Sequence, residues 1–246
     1  MNFSDAQVDY QPYPIVYLPN FLDRQTYLAM AESYPDLDTF KFTKNIGNKY
    51  SLSEVNNAPA YYDFLKKNPE WMEFYTFVKS PAFIRQTAEF LEQSHIDLRL
   101  GKFHYVKSVG YRRRDPLRRI LNTKVLRSRF EFSAMPADGG SIIPHTDAPA
   151  KLVTLVLSFV KDGEWNAGDW GGGTSVVTPK DPTRVYNWHN KYMPFDEIDV
   201  LKTFPFVPNQ CILFVKTYNS WHSVQPMTGP AGRLRKTLTI NIEEIP

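Results

Sequence analysis

Pro144-His145-Thr146-Asp147 is the stretch on which the reading of this chain turns. Two residues apart on an extended strand, the His145 and Asp147 side chains are expected to share one face. Two later segments extend the pattern: Trp221-His222-Ser223-Val224, and then Arg235-Lys236-Thr237. With His222 brought alongside, the set becomes two imidazoles and one carboxylate. Such a face binds a metal ion and leaves coordination positions open.

Composition sets the frame around that stretch. The chain has 246 residues, of which 42% are hydrophobic and 15% aromatic, enough for a substantial core. An all-β barrel or sandwich of this length can form a single domain. The expectation is one domain over residues 1–246, with 1–96 supporting a core over 97–246. The net charge of +3 is mild and does not by itself argue for a nucleic-acid partner. Cys211 is the only cysteine, so no internal disulfide can form. It sits at the start of an apolar run and reads as a buried structural thiol. Residues 1–10 are polar, with no apolar signal region. No run has the length of apolar sequence needed to span a membrane. The expectation is a soluble, cytoplasmic protein.

Residues 14–18 read as a strand broken by Pro19-Asn20. Asp23 is placed to cap a helix running to about Ser33, with Leu22, Tyr27, Leu28 and Met30 as its apolar surface. Tyr34-Pro35 ends it. Residues 36–58 give no periodic signal. Helices are expected over 59–67, 69–78 and 81–94, the last with Pro81 in its first turn. Near residue 97 the texture changes to short β-type runs: 98–106, 129–135, 152–160, 174–178, 211–217 and 236–242. Several strands of this length with irregular connections predict a sandwich or barrel.

The metal reading competes with plainer ones. His95 reads as a surface or capping residue, His104 as a structural residue within a strand, and His189 as an exposed turn residue. His145 and His222 stand out because both fall at strand edges beside turn chemistry. Residues 111–129 hold eight basic side chains, Arg112, Arg113, Arg114, Arg118, Arg119, Lys124, Arg127 and Arg129, against Asp115 alone. A solvated face explains such a run, and so does recognition of an anion by arginine. Nucleic acid is the weaker option, since basic clustering alone is non-specific.

The order of the pieces is more specific than any one of them. His145-Thr146-Asp147, the strand after Lys151, Gly171-Gly172, His222-Ser223-Val224 and Arg235-Lys236-Thr237 follow one another. In this the chain resembles the 2-oxoglutarate/Fe(II)-dependent dioxygenases, and within them the prolyl-4-hydroxylase-like branch. Pro12, Pro14 and Val16 followed by Asn20-Phe21-Leu22 also look like the entry of that branch. The resemblance implies a mainly β chain with N-terminal helices, folded as a double-stranded β-helix (a cupin-like jelly roll). It implies Fe(II) bound by His145, Asp147 and His222, with 2-oxoglutarate and O2 as co-substrates. Arg235 would meet the distal carboxylate of 2-oxoglutarate and Thr237 would add a hydrogen bond. Arg233 shares the strand parity and is the competing anchor. Lys151 occupies the place of a basic residue common in the family, as surface charge or as a contact near substrate. Related halogenases lack the carboxylate that Asp147 supplies, so hydroxylation is the expected outcome.

The substrate is less constrained. The connections 36–58, 107–128 and 179–200 are expected to shape its pocket, with Tyr50, Arg112–Arg114, Trp188 and Tyr192 among them. An aromatic and basic lining would suit an anionic small molecule, a sugar acid or a peptide side chain. Two other readings stand beside this one. One is a nucleic-acid-directed oxygenase using residues 111–129. The other is a β-sandwich that holds metal without turnover.

Overall fold

The computed structural model describes residues 1–44, 47–98, 100, 104–106 and 124–245. In chain order its strands are β1 (Gln7–Asp9), β2 (Ile15–Leu18), β3 (Lys41–Thr43), β4 (Lys49–Leu52), β5 (His104–Val106), β6 (Lys124–Pro136) and β7 (Ile142–His145). They continue as β8 (Lys151–Ser158), β9 (Thr174–Pro179), β10 (Ile198–Phe204), β11 (Cys211–Val215), β12 (His222–Val224) and β13 (Leu234–Ile245). The helices α1 (Arg24–Glu32), α2 (Ala58–Lys67), α3 (Pro69–Val78) and α4 (Pro81–Gln93) all precede β5.

The path of β6 to β13 defines the architecture. In the large sheet β11, β8, β13 and β6 are neighbours in that order; in the small sheet the order is β10, β9, β12, β7. Every one of these pairings is antiparallel. The chain therefore crosses to the other sheet at each step except from β9 to β10. Two facing sheets wound in this way form a jelly-roll double-stranded β-helix. The large sheet is widened by β2 and β1 at one side and by β4 and β3 at the other, with β5 parallel to β6.

Alternation along the large sheet explains both layers. On β13, Leu238, Ile240 and Ile242 are buried in the same apolar cluster as the helices. The opposite parity carries Arg235, Thr237, Thr239, Asn241 and Glu243. On β6, Phe130 and Phe132 face the helices, while Glu131 and Ser133 take the other parity. One face thus seats the helical layer, and the other turns polar groups toward the small sheet. Trp71 of α3 is fully buried, with ring centroids 4.8 Å from Phe132 and 4.7 Å from Phe159. Burying one such aromatic contributes about 2–3 kcal/mol. Polar groups inside a sandwich are the exception, and here Ser133, Arg235, Thr237 and Thr239 line a cavity while Glu131 and Glu243 are held in ion pairs.

Local chemistry explains the helices. The Asp23 side chain accepts from the backbone N–H of Gln25 and Thr26. Ser80 caps α4, with Pro81 in the first turn. Leu28 of α1 is exposed, contrary to expectation, and Ala31 takes a buried place instead. The segment 36–58, which gave no periodic signal, holds the β3–β4 hairpin. Its strands of three and four residues are too short to display alternation. Strands β1 and β10 also escaped the sequence reading, β7 and β12 put His145 and His222 at strand ends as expected, and β6 and β13 run longer than expected. His95 is exposed and so is His189. His104 lies on β5 as expected. Cys211 is buried. No helix among the described residues is long and apolar enough to cross a membrane.

Candidate metal centre and cavity

His145 closes β7 and His222 opens β12, and the antiparallel register sets the two residues opposite each other. Their ring centroids lie 4.4 Å apart. Asp147 lies two residues past the end of β7, outside the strand on which the sequence placed it, and its carboxylate meets the two imidazoles. Ligand atoms of His145, Asp147 and His222 all lie within 4.8 Å of one another.

Each histidine is held by a partner that leaves one ring nitrogen free, whereas both oxygens of Asp147 accept a hydrogen bond and each keeps a second lone pair. Nδ1 of His145 is 2.8 Å from the Ile143 carbonyl, and Nδ1 of His222 is 3.0 Å from the Ser220 carbonyl. A carbonyl only accepts, so each Nδ1 carries the proton and each Nε2 keeps its lone pair. Burial pushes both imidazoles toward the neutral form, His145 to about 3. Neutral imidazole is the ligating form. Asp147 accepts from Lys151 Nζ at 2.7 Å on Oδ1 and from Thr154 Oγ1 at 2.6 Å on Oδ2. Burial pushes this carboxyl up, but the Lys151 ammonium beside it outweighs that and keeps it ionised. Lys151 is therefore a partner of Asp147, which narrows the two roles left open for it.

The three residues line a cavity of about 470 Å³ between the two sheets. Arg235 lines it too and is buried, with Thr237 two residues further along β13. Arg235 Nε donates to the Gly172 carbonyl at 2.5 Å, and its guanidinium lies 4.6 Å from the Phe206 ring centroid. Gly172 has φ +83°, and a Cβ there would come within 2.8 Å of the Trp165 ring. Glycine is thus required where the chain offers its carbonyl to the arginine. Among the described residues no carboxylate lies within ion-pair distance of Arg235. Burial alone pulls its guanidinium down to about 10. Arg233 precedes β13, is exposed and does not line the cavity.

One wall of the cavity comes from residues 187–193. Residues His145 and Tyr192 form a backbone bridge, and the Met193 N–H donates to the Pro144 carbonyl at 3.0 Å. Tyr192 lines the cavity, while Trp188 sits beside Lys216, whose Nζ is 5.3 Å from the indole centroid. Lys216 is buried and was not singled out from the sequence, because nothing in an isolated lysine signals burial. Tyr50 leans on Phe42, 4.7 Å between centroids, and does not line the cavity. Arg112–Arg114 and the rest of 111–123 lie outside the described residues. From the remainder of that tract, Arg127 and Arg129 pair with Glu243 and Glu131.

No protein-family model and no curated protein matches the sequence. Solved structures do match. A prolyl-4-hydroxylase from Pseudomonas putida is similar at a TM-score of 0.53 and 16% identity, over 94% of this chain and 93% of that one. A prolyl 4-hydroxylase from Phytophthora capsici is similar at a TM-score of 0.50 and 15% identity, over 94% of this chain and 58% of that one. The shared feature is the fold, the double-stranded β-helix with its flanking helices.

Proposed function

We propose that the protein is a 2-oxoglutarate- and Fe(II)-dependent dioxygenase that hydroxylates a C–H bond of a small-molecule, sugar or peptide substrate, with O2 as oxidant. The observation that carries this reading is one cavity holding both a two-His, one-carboxylate cluster and a buried arginine with no carboxylate partner among the described residues. The donor set suits iron: two neutral imidazoles and one ionised carboxylate, with the remaining positions open. A bound Fe(II) would supply the redox chemistry that couples decarboxylation of 2-oxoglutarate, to succinate and CO2, with hydroxylation.

The residues of the chain do the rest. His145 and His222 offer Nε2, and Asp147 offers a carboxylate oxygen. Arg235 recognises the distal carboxylate of 2-oxoglutarate, a planar fork meeting a planar anion. Its Nε is already used by Gly172, and the Phe206 ring fixes its plane. Thr237 adds a hydroxyl on the same strand face, and Arg233, being exposed, is set aside as the anchor. The helices and the large sheet share one apolar cluster, which supports treating residues 1–246 as a single oxygenase domain. A single buried cysteine is in keeping with a cytoplasmic setting. The ion pairs of Arg127 and Arg129 weigh against a nucleic-acid substrate.

The test is succinate formation from 2-oxoglutarate by the Fe(II)-loaded protein, with and without added substrate mixtures. Slow uncoupled turnover is expected, abolished in His145→Ala and Asp147→Ala together with high-affinity Fe(II) binding. If the wild type binds metal but neither binds nor consumes 2-oxoglutarate, the protein is a metal-holding sandwich and the enzyme reading fails.

A further inference from the structure

Asn190 has an unusual combination of properties. It lines the cavity with the metal cluster, and its side-chain Oδ1 is buried with no hydrogen-bond partner among the described residues. Its backbone is left-handed, φ +57°. Asparagine tolerates that conformation better than most residues, but glycine suits it best. Asn20, Asn48, Asn57 and Asn209 take the same conformation, so the backbone alone does not set Asn190 apart. What does is an acceptor that no described residue satisfies, on a side chain of the cavity wall. An unpaired buried acceptor is costly and is commonly explained by a functional partner.

The wall that carries it is held firmly. The Asn187 side chain donates to the Lys191 carbonyl at 2.7 Å and accepts from the Lys191 N–H at 2.9 Å. The Asn187 carbonyl accepts from Thr146 Oγ1 at 2.6 Å and Lys216 Nζ at 3.1 Å. Asn190 is therefore presented on a rigid turn tied to the residue between two of the proposed metal ligands. We propose that Asn190 determines substrate specificity, accepting a hydrogen bond from an N–H or O–H group of the primary substrate. This rests on the oxygenase reading and names the chemistry that its substrate must bring. A carboxylate or phosphate dianion has no proton to donate and cannot satisfy this acceptor, whereas a neutral amide or a sugar hydroxyl can. The charge recognised by Arg235 and the neutral group recognised by Asn190 then belong to different molecules.

The experiment compares wild type with Asn190→Gly, which suits the left-handed backbone and removes the amide, and with Asn190→Asp, which keeps an acceptor. Saturation-transfer NMR measures binding of three probe sets: N-acetyl amino-acid amides, methyl glycosides and aliphatic carboxylates. It is run on protein loaded with Ni(II) and excess 2-oxoglutarate, and again on unloaded protein. Amides or glycosides should bind the wild type in preference to carboxylates. Asn190→Gly should lose at least about tenfold in affinity for them, while Asn190→Asp should retain most of it. Which of the two sets binds identifies the donor as amide or hydroxyl. Unchanged affinity in Asn190→Gly, a preference for carboxylates, or no binding by either donor set overturns the assignment. Failure to take up Ni(II) or 2-oxoglutarate strikes the oxygenase reading instead, and the unloaded series still decides the role of Asn190.

Discussion

Lys216 Nζ lies 2.8 Å from Thr146 Oγ1, so a buried ammonium on the strand side holds the residue between His145 and Asp147. The same ammonium meets the Asn187 carbonyl and the Trp188 ring. One cation therefore ties the residue between His145 and Asp147 to the wall that carries Asn190 and Tyr192. Burial lowers its pKa to about 8.

Replacing this cation should loosen the wall before it harms the fold. In Lys216→Met the stem volume is kept and Thr146 can still donate to Asn187. Amide exchange across 186–193 should accelerate by at least about tenfold, with a global destabilisation of about 1–3 kcal/mol. Exchange rates identical to wild type would show that the ammonium restrains nothing.

Arg235 is a buried cation with no carboxylate beside it among the described residues, so its removal should have opposite effects on stability and on binding. Arg235→Met is expected to leave the melting temperature of the ligand-free protein unchanged or raised, because an uncompensated buried charge is lost. The stabilisation brought by 2-oxoglutarate should vanish in the same variant, since a ligand stabilises only the state it binds. A thermal shift with 2-oxoglutarate equal to that of wild type would exclude Arg235 as the anchor. An Arg233→Met control should behave as wild type in both measurements.

Thr154 fixes the Asp147 oxygen that Lys151 does not reach. Thr154→Val is close in shape but removes the donor. Metal affinity should fall by about 10–100-fold, the range usual for losing a hydrogen bond to a ligand. Titration with Co(II), followed by its visible absorption, reads this directly without turnover. Unaltered affinity and an unaltered spectrum would mean that Thr154 does not orient the carboxylate.

Glu131 should govern part of the acid sensitivity of the fold. Burial pushes its carboxyl up, but Lys49 at 2.8 Å and Arg129 at 3.6 Å outweigh this and set it below the usual range. A folded-state pKa below the unfolded one adds stability at neutral pH, and protonation removes it as pH falls through the lowered value. Urea midpoints measured from about pH 7 down to pH 3 should therefore fall less steeply in Glu131→Gln than in wild type. Parallel acid limbs in the two proteins would contradict this.

The composition of the site was legible before the fold. His145, Asp147, His222, Arg235 and Thr237 could be named because their residue types and order are unusual together. Four helices were legible because caps, first-turn prolines and a 3.6-residue period are local signals. The strands β8, β11 and β13 announced themselves as apolar or alternating runs. By contrast β1 and β3 have three residues each, and β10 is exposed along most of its length. Such strands exist because a neighbour offers an edge, and an edge is not written in the segment itself.

What the sequence determined by itself is thus the set of chemical groups and the alternation that sends apolar side chains to the helices and polar ones inward. Only the tertiary structure decided how those groups meet. The β7–β12 register sets His145 opposite His222, the segment just past β7 carries Asp147, and Arg235 is buried in the cavity wall while Arg233 is exposed. It alone singled out Lys216 and Asn190, whose significance lies in what surrounds them. A side chain's donors, charge and preferred backbone are local properties, whereas its partners and its access to water depend on segments far away in the chain.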